Sequence, residues 1–545
     1  MRAAPTLGAL RRSLAAAATA AGVAATRSSR AADEQPPPYD VLVVGGGVVG
    51  LSVARECAVR GASVVLVERE DDWAAAASSG NSGIGCTGYD APIGSLERQL
   101  LRRSIQRHPE LMRSFGLSYE HVRKCGSLVV AWDAQALQKL PAVLAENEQA
   151  GDEEAAILSD VQVKEREPSL ARGAMGAVWC PREAVVEPWL VAHGYAESAS
   201  RCGARLILST EAVGAYYDTD ARLWCVSVVP SSAAQSGRSA PGEVLVAPPP
   251  KESESTRSRR ADSSEIQARV VINCAGLYGD VVHQWAPTCL GGRGCTAQSE
   301  GGSRGGPQSA EVIMGDPIAR VDDSAPFHVT PRKGQFVVLQ PDPEADLPHA
   351  VIEQVASQFT KGVIIWRTLY GNVVIGPTAE DQASRSDRST DHATLQDLVR
   401  YGTHRIPALR NARILGSYAG LRPASEHRDY QMSSTTCHAP KPGCVGARGS
   451  GWISVAGIRS TGLTCAPGIG EYVAELYLGI RDGVPPVHAS ANPPLAEDQL
   501  EHRRPADGCS IGVTDAALNP LPLEPIAPRN TTVPTLRELA AEYRV

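Results

Sequence analysis

Residues 45–68 carry side chains and spacings suited to holding a dinucleotide. Gly45-Gly46-Gly47-Val48-Val49-Gly50 fits G-x-G-x-x-G, and Glu68 follows it. In such a motif Gly45 permits a tight turn, Gly47 lets the backbone approach a pyrophosphate, and Gly50 lets a helix pack closely on a strand. The phosphates then lie at the positive end of the helix, where backbone N–H groups lack partners. Glu68 can accept hydrogen bonds from ribose hydroxyls, and its charge repels a 2′-phosphate, which disfavours a phosphorylated ribose.

These residues need a strand, a turn, a helix and a second strand in that order. Tyr39 to Val44 is a β-branched run suited to a buried parallel strand. Leu51 to Arg60 is helix-compatible and Gly61 offers its C-cap, and Ala62 to Val67 reads as the second strand, ending at Glu68. The whole unit occupies about 30 residues, as the motif's mechanism requires. We find no second G-x-G-x-x-G between a strand and a helix. FAD alone is therefore the economical cofactor, since an enzyme that also bound a pyridine nucleotide would commonly need two such folds. Ser78-Ser-Gly-Asn-Ser-Gly83 supplies small polar residues after the acid, with Ser79, Asn81 and Ser82 as hydrogen-bonding candidates.

Flavin performs the difficult chemistry, while the protein places a substrate C–H and stabilises the charge arriving on the ring. Gly462, Leu463 and Thr464 suit the second task if they open a final helix over Pro467 to Leu478, because a helix start stabilises an anionic flavin. An anionic substrate needs a fixed cation. Arg422 is the first choice and Arg332 the second, since guanidinium can offer two parallel hydrogen bonds to a carboxylate or phosphate. Oxidation of an alcohol needs a proton acceptor, for which His328, just before Thr330-Pro-Arg-Lys-Gly334, is the candidate.

Composition bounds the rest. At 545 residues the chain exceeds one compact core, and 43% hydrophobic with 21% charged residues describes a globular protein. A net charge of −7 argues against a nucleic-acid binder. The 13 cysteines form no C-x-x-C pair, no disulfide framework and no metal-finger spacing, so no metal site is expected. The first acid is Asp33, preceded by Arg2, Arg11, Arg12, Arg27 and Arg30 in an Ala- and Ser-rich run. Residues 1–35 read as a mitochondrial-type transit peptide. The uncharged run Leu14 to Thr26 is the rival secretory feature and is too short to span a bilayer. No integral membrane segment is expected. Residues 230–262 and 291–306 read as flexible insertions. Residues 481–545 read as a Pro-rich extension, closing with a capping box at Thr535-Leu-Arg-Glu538.

Several blocks together resemble the FAD-dependent oxidoreductases of the D-amino-acid oxidase superfamily. Within it the similarity is to glycerol-3-phosphate dehydrogenase-like proteins, with L-2-hydroxyglutarate dehydrogenases close by. The blocks are Ser79 to Ile84, Gly88 to Leu96, Gly126 to Ala131, Val270 to Asp280, Thr330 to Gln335, Ile375 to Glu380, Ala419 to Pro423 and Gly457 to Thr464. The resemblance runs from Tyr39 to about Leu478. It implies an α/β fold in which a Rossmann-type FAD-binding domain carries a discontinuous mixed-sheet substrate domain. The flavoprotein would cover 38–480, its FAD part lying at about 38–115, 185–285 and 446–480. The substrate part would lie at about 116–184 and 316–445, with a mixed sheet around 320–378 and 414–432 covering the flavin. The resemblance adds Ala275, Gly276, Gly457 and Arg459 to the cofactor-binding set and gives Arg422 the substrate-anion role.

The implied activity is hydride transfer from a small anionic secondary alcohol to FAD, glycerol 3-phosphate first and L-2-hydroxyglutarate second. An amine or amino-acid oxidase relative and a non-catalytic FAD-binding assembly factor are further readings. A quinone is the expected type of electron acceptor, and peripheral membrane contact stays open. One departure stands out. Relatives commonly carry His-Ala-Gly or His-Gly-Gly where this chain has Cys86-Thr87-Gly88, and a thiol replaces an imidazole base only if its pKa is strongly lowered.

Overall fold

The computed structural model describes residues 37–117, 122–231, 264–286, 327–356, 362–440 and 448–484. It opens with the expected unit: strand β1 (Tyr39–Val44), helix α1 (Val48–Val59) and strand β2 (Val64–Val67). Aliphatic residues in these strands pair in parallel, Val41 with Val64 and Val43 with Leu66, and the side chains on both faces are buried. That double burial explains why the strands read as unbroken apolar runs rather than alternating ones.

Around β1 an eight-stranded sheet assembles. On one side β2 pairs in parallel with Arg205–Ile207. On the other, β1 pairs in parallel with the strand Ser264–Asn273, which divides its outer edge between two partners. Residues 264–268 run antiparallel to Leu223–Pro230, and 270–273 run parallel to Ser450–Ala456. Helix α1 is packed between this sheet, the helix Pro188–Arg201 and the last helix, Gly462–Asp482.

A nine-stranded sheet forms the second layer. Its backbone is a long antiparallel pair, Val329–Gln340 with Arg413–Ser425, in the register Arg332 to Arg422, Gly334 to Gly420 and Phe336 to Tyr418. Period-2 alternation puts these six residues on one face. The Phe336 and Tyr418 rings stack there with centroids 4.5 Å apart. A three-stranded sheet links the layers by pairing Ile84–Gly85 and Val122–Arg123 with Ala184–Val186.

Most predicted elements lie within a few residues of their expected bounds, with two differences. The last helix begins at Gly462, five residues before the expected start, and keeps Pro467 inside it. The strand Gln431–His438 pairs with Ser450–Ala456 in the first sheet, although residues to 432 were expected in the covering sheet and those to 445 in the substrate part. After Ser425 the chain turns and uses the free edge of Ser450–Ala456, satisfying backbone groups left open there. The insertions at 232–262 and 291–306 and the terminal capping box lie outside the described residues. Among those described, no helix is long and apolar enough to cross a membrane.

Candidate active site

Four segments from distant parts of the sequence converge at the carboxyl end of β1. The first is the glycine loop. Gly45 has φ +110°, and a Cβ there would lie 2.5 Å from the Cys274 carbonyl oxygen, while one on Gly50 would lie 2.0 Å from the Gly45 oxygen. No side chain fits either place, so the sequence reading of a tight turn and close helix–strand packing holds in the geometry. This contact also sets the second segment, Ala275 and Gly276, beside the loop. The third is residues 78–83, and the fourth the start of the last helix, where Gly462 faces Val49.

Glu68 closes the far side of the loop. Its Oε2 accepts the Gly46 amide at 2.5 Å and its Oε1 the Glu70 amide at 2.8 Å. Burial raises its pKa, and those two backbone hydrogen bonds pull it back toward the ionised form. A carboxylate has about four acceptor positions, so two remain for donors beyond these amides. Beyond it, Arg69 lies over the Tyr278 ring at 4.5 Å.

In the 78–83 loop, Ser78 rather than Ser79 faces α1. Ser78 Oγ accepts the Val48 amide at 3.0 Å, and a Cβ on Gly47 would come within 3.2 Å of the same oxygen. Ser79 instead donates to the carbonyls of Ala75 and Ala76. Asn81 holds the loop's own shape through the Gly83 amide and the Ser78 carbonyl, and Ser82 Oγ accepts the Ile84 amide at 3.4 Å. Ser78 could have been found from sequence only by knowing the loop's direction, because both serines have the same chemistry.

At the fourth segment the Cys86 amide donates to Thr464 Oγ1 at 3.2 Å, with the Cys86 sulfur 3.6 Å from that oxygen. Gly457 turns the chain with φ +70°. Arg459 places its guanidinium on the carbonyls of Ser425 and His427, and burial lowers its pKa.

The loop meets the second sheet through glycines: a Cβ on Gly80 would lie 2.4 Å from Gly420 Cα. Two residues along the strand is Arg422. Among the described residues its guanidinium donates to the Thr378 carbonyl, at 3.3 and 3.4 Å. Desolvation first, and then the like charge of Arg332, bring its pKa down to about 10. Arg332 differs, being half-exposed and held in a two-point ion pair by Asp381 at 2.6 and 2.8 Å. His328 lies near the start of the same long strand. Its amide donates to Glu426, its Nδ1 is 3.7 Å from Glu426 Oε1, and its buried Nε2 has no hydrogen-bond partner among the described residues.

Asp280 was not among the sequence candidates. It is fully buried, accepts the Val329 amide at 2.8 Å, and forms a two-point pair with Arg385 at 2.5 and 2.8 Å. It thereby fastens the end of the first sheet to the strand bearing His328 and Arg332. No local pattern announces Arg385 as its partner.

The glycine cradle, the Glu68 carboxylate beyond it and the loop whose Ser78 hydroxyl accepts the Val48 amide have the shape and chemistry that fit a dinucleotide cofactor. Residues 40–299 and 305–476 match the model of the DAO family, FAD dependent oxidoreductase, and the chain belongs to that family. It is an FAD-dependent oxidoreductase. Among similar proteins, a glycerol 3-phosphate dehydrogenase of Caloramator mitchellensis is 26% identical over 436 residues, covering 80% of this chain and 73% of that one. Mouse mitochondrial L-2-hydroxyglutarate dehydrogenase is also 26% identical, over 308 residues that span 55% of this chain and 59% of its own. In fold, the chain resembles an FAD-bound L-α-glycerophosphate oxidase from Mycoplasma pneumoniae, with a TM-score of 0.59 and 20% identity. That match covers 84% of this chain and 98% of the other.

Proposed function

We propose that this protein oxidises a small anionic secondary alcohol, with glycerol 3-phosphate converted to dihydroxyacetone phosphate as the first choice. Arg422 carries the reading. A largely desolvated guanidinium with no carboxylate partner among the described residues is costly, unless it serves an anion that arrives from solution. Its position on the strand face that meets the 78–83 loop supports a role beside the flavin. The named function of the Caloramator relative supports the phosphate ester.

In this reading Arg422 binds the phosphate and orients the substrate. His328 takes the hydroxyl proton at Nε2. The Glu426 carboxylate near Nδ1 favours the proton on that nitrogen, which leaves Nε2 as an acceptor. FAD, once bound, would supply the hydride acceptor. The amides at Gly462 to Thr464, at the start of the last helix, would lie at the positive end that favours negative charge. Electrons then pass to an acceptor such as a quinone, in a mitochondrial setting consistent with the arginine-rich amino end.

L-2-hydroxyglutarate is the second reading. Arg332 lies directly across the strand pair from Arg422, where a second cation would meet a second carboxylate. That use requires Arg332 to share or leave Asp381.

Anaerobic mixing of the flavin-loaded protein with each compound tests the choice. Glycerol 3-phosphate should bleach the flavin absorbance in a single turnover. Bleaching by L-2-hydroxyglutarate alone transfers the assignment to the second reading. Bleaching only by amino acids, or by no compound, refutes both.

A further inference from the structure

The opening turn of the last helix is secured by side chains from two other helices. Pro467 has no N–H, so the Leu463 carbonyl loses its helical donor. The adjoining backbone groups have side-chain partners. His108 Nε2 bonds the Thr464 carbonyl at 2.7 Å, Ser104 Oγ shares its proton between the Leu100 carbonyl at 2.7 Å and the Cys465 carbonyl at 3.1 Å, and Ser52 Oγ donates to the Ala466 carbonyl at 2.7 Å. Ser104 Oγ also accepts the Gly468 amide at 2.9 Å. Ser52 belongs to α1, while Ser104 and His108 lie on the helix Leu96–Ser114.

A carbonyl can only accept, so His108 must carry its proton on Nε2. Thr464 is thus held from both ends: its carbonyl by His108, and its hydroxyl by the Cys86 amide that follows the 78–83 loop. The contact fixes the rotation of the first turn, whose leading amides have no intrahelical acceptor.

We propose that His108 is a positioning residue for the flavin, setting through the Thr464 carbonyl the orientation of the helix start that stabilises the reduced ring. This inference rests on the reading that Gly462 to Thr464 border the flavin. Ser104 acts in the same direction by fixing the next carbonyl and the Gly468 amide.

The experiment compares wild type with H108L, H108Q and S104A. The midpoint potential and visible spectrum of bound FAD are measured, together with the FAD dissociation constant. Leucine removes the donor, whereas glutamine returns an N–H near the position of Nε2. H108L and S104A should lower the potential, with FAD binding weakened about three- to tenfold, the worth of one hydrogen bond. H108Q should restore both toward wild type. A flavin-loaded H108L with unchanged potential and spectrum overturns the role of His108 alone. If H108L does not fold, H108A takes its place, and a flavin-loaded H108A with the wild-type potential overturns it. Failure of the folded wild type to take up FAD overturns the cofactor site and this inference together.

Discussion

Replacing Arg422 with methionine separates function from stability. At neutral pH the guanidinium is charged in the folded and unfolded chains, because burial brings its pKa down only to about 10, still well above 7. The folded state therefore bears the full cost of removing that charge from water, with two long hydrogen bonds to Thr378 as its visible compensation. Methionine fills similar space without the charge. Apolar replacement of buried ionic groups is often neutral or stabilising by about 1–4 kcal/mol, so the urea midpoint of R422M should stay or rise. Loss of a desolvated charge pair with the substrate should cost about 2–5 kcal/mol, which lowers kcat/KM roughly 30- to 4,000-fold. The sign of the stability change is the stricter measure. If R422M loses more than about 1 kcal/mol of stability, Arg422 is structural; if kcat/KM stays within about threefold, it does not bind substrate.

Two further outcomes follow from the geometry. Gly50→Ala would place its Cβ 2.0 Å from the Gly45 oxygen, and overpacking of this kind typically costs about 1–3 kcal/mol. The variant should have a lower melting temperature and retain less flavin absorbance after gel filtration; normal FAD retention would show that the loop has slack. Burial of His108 lowers its pKa, with the Thr464 hydrogen bond opposing the shift. The unfolded chain then binds this proton first as pH falls. The associated stability is complete above about 6.5 and declines as pH drops toward the lower folded value. Urea midpoints at pH 7.5 and 5.5 should differ less in H108Q than in wild type, and equal differences would refute this linkage.

Much of the cofactor site was legible because its chemistry is local. Gly45, Gly50 and Glu68 belong to one short β–α–β unit, where steric demand and hydrogen-bonding capacity are written at fixed spacings. Sequence alone could thus determine the tight glycine turn, the strand before it and the acid that ends the second strand. Ser78 and Ser79 were chemically equal there, and only the path of the loop decides which hydroxyl faces α1. Likewise the pairing of Asp280 with Arg385, the neutralisation of Arg332 by Asp381 and the hold of His108 on Thr464 all join residues far apart in the chain. A side chain's charge and size are fixed by its own identity. Whether that charge is paired, desolvated or aimed at a carbonyl depends on which distant segment packing brings beside it, and that is decided only when the two sheets and the last helix assemble.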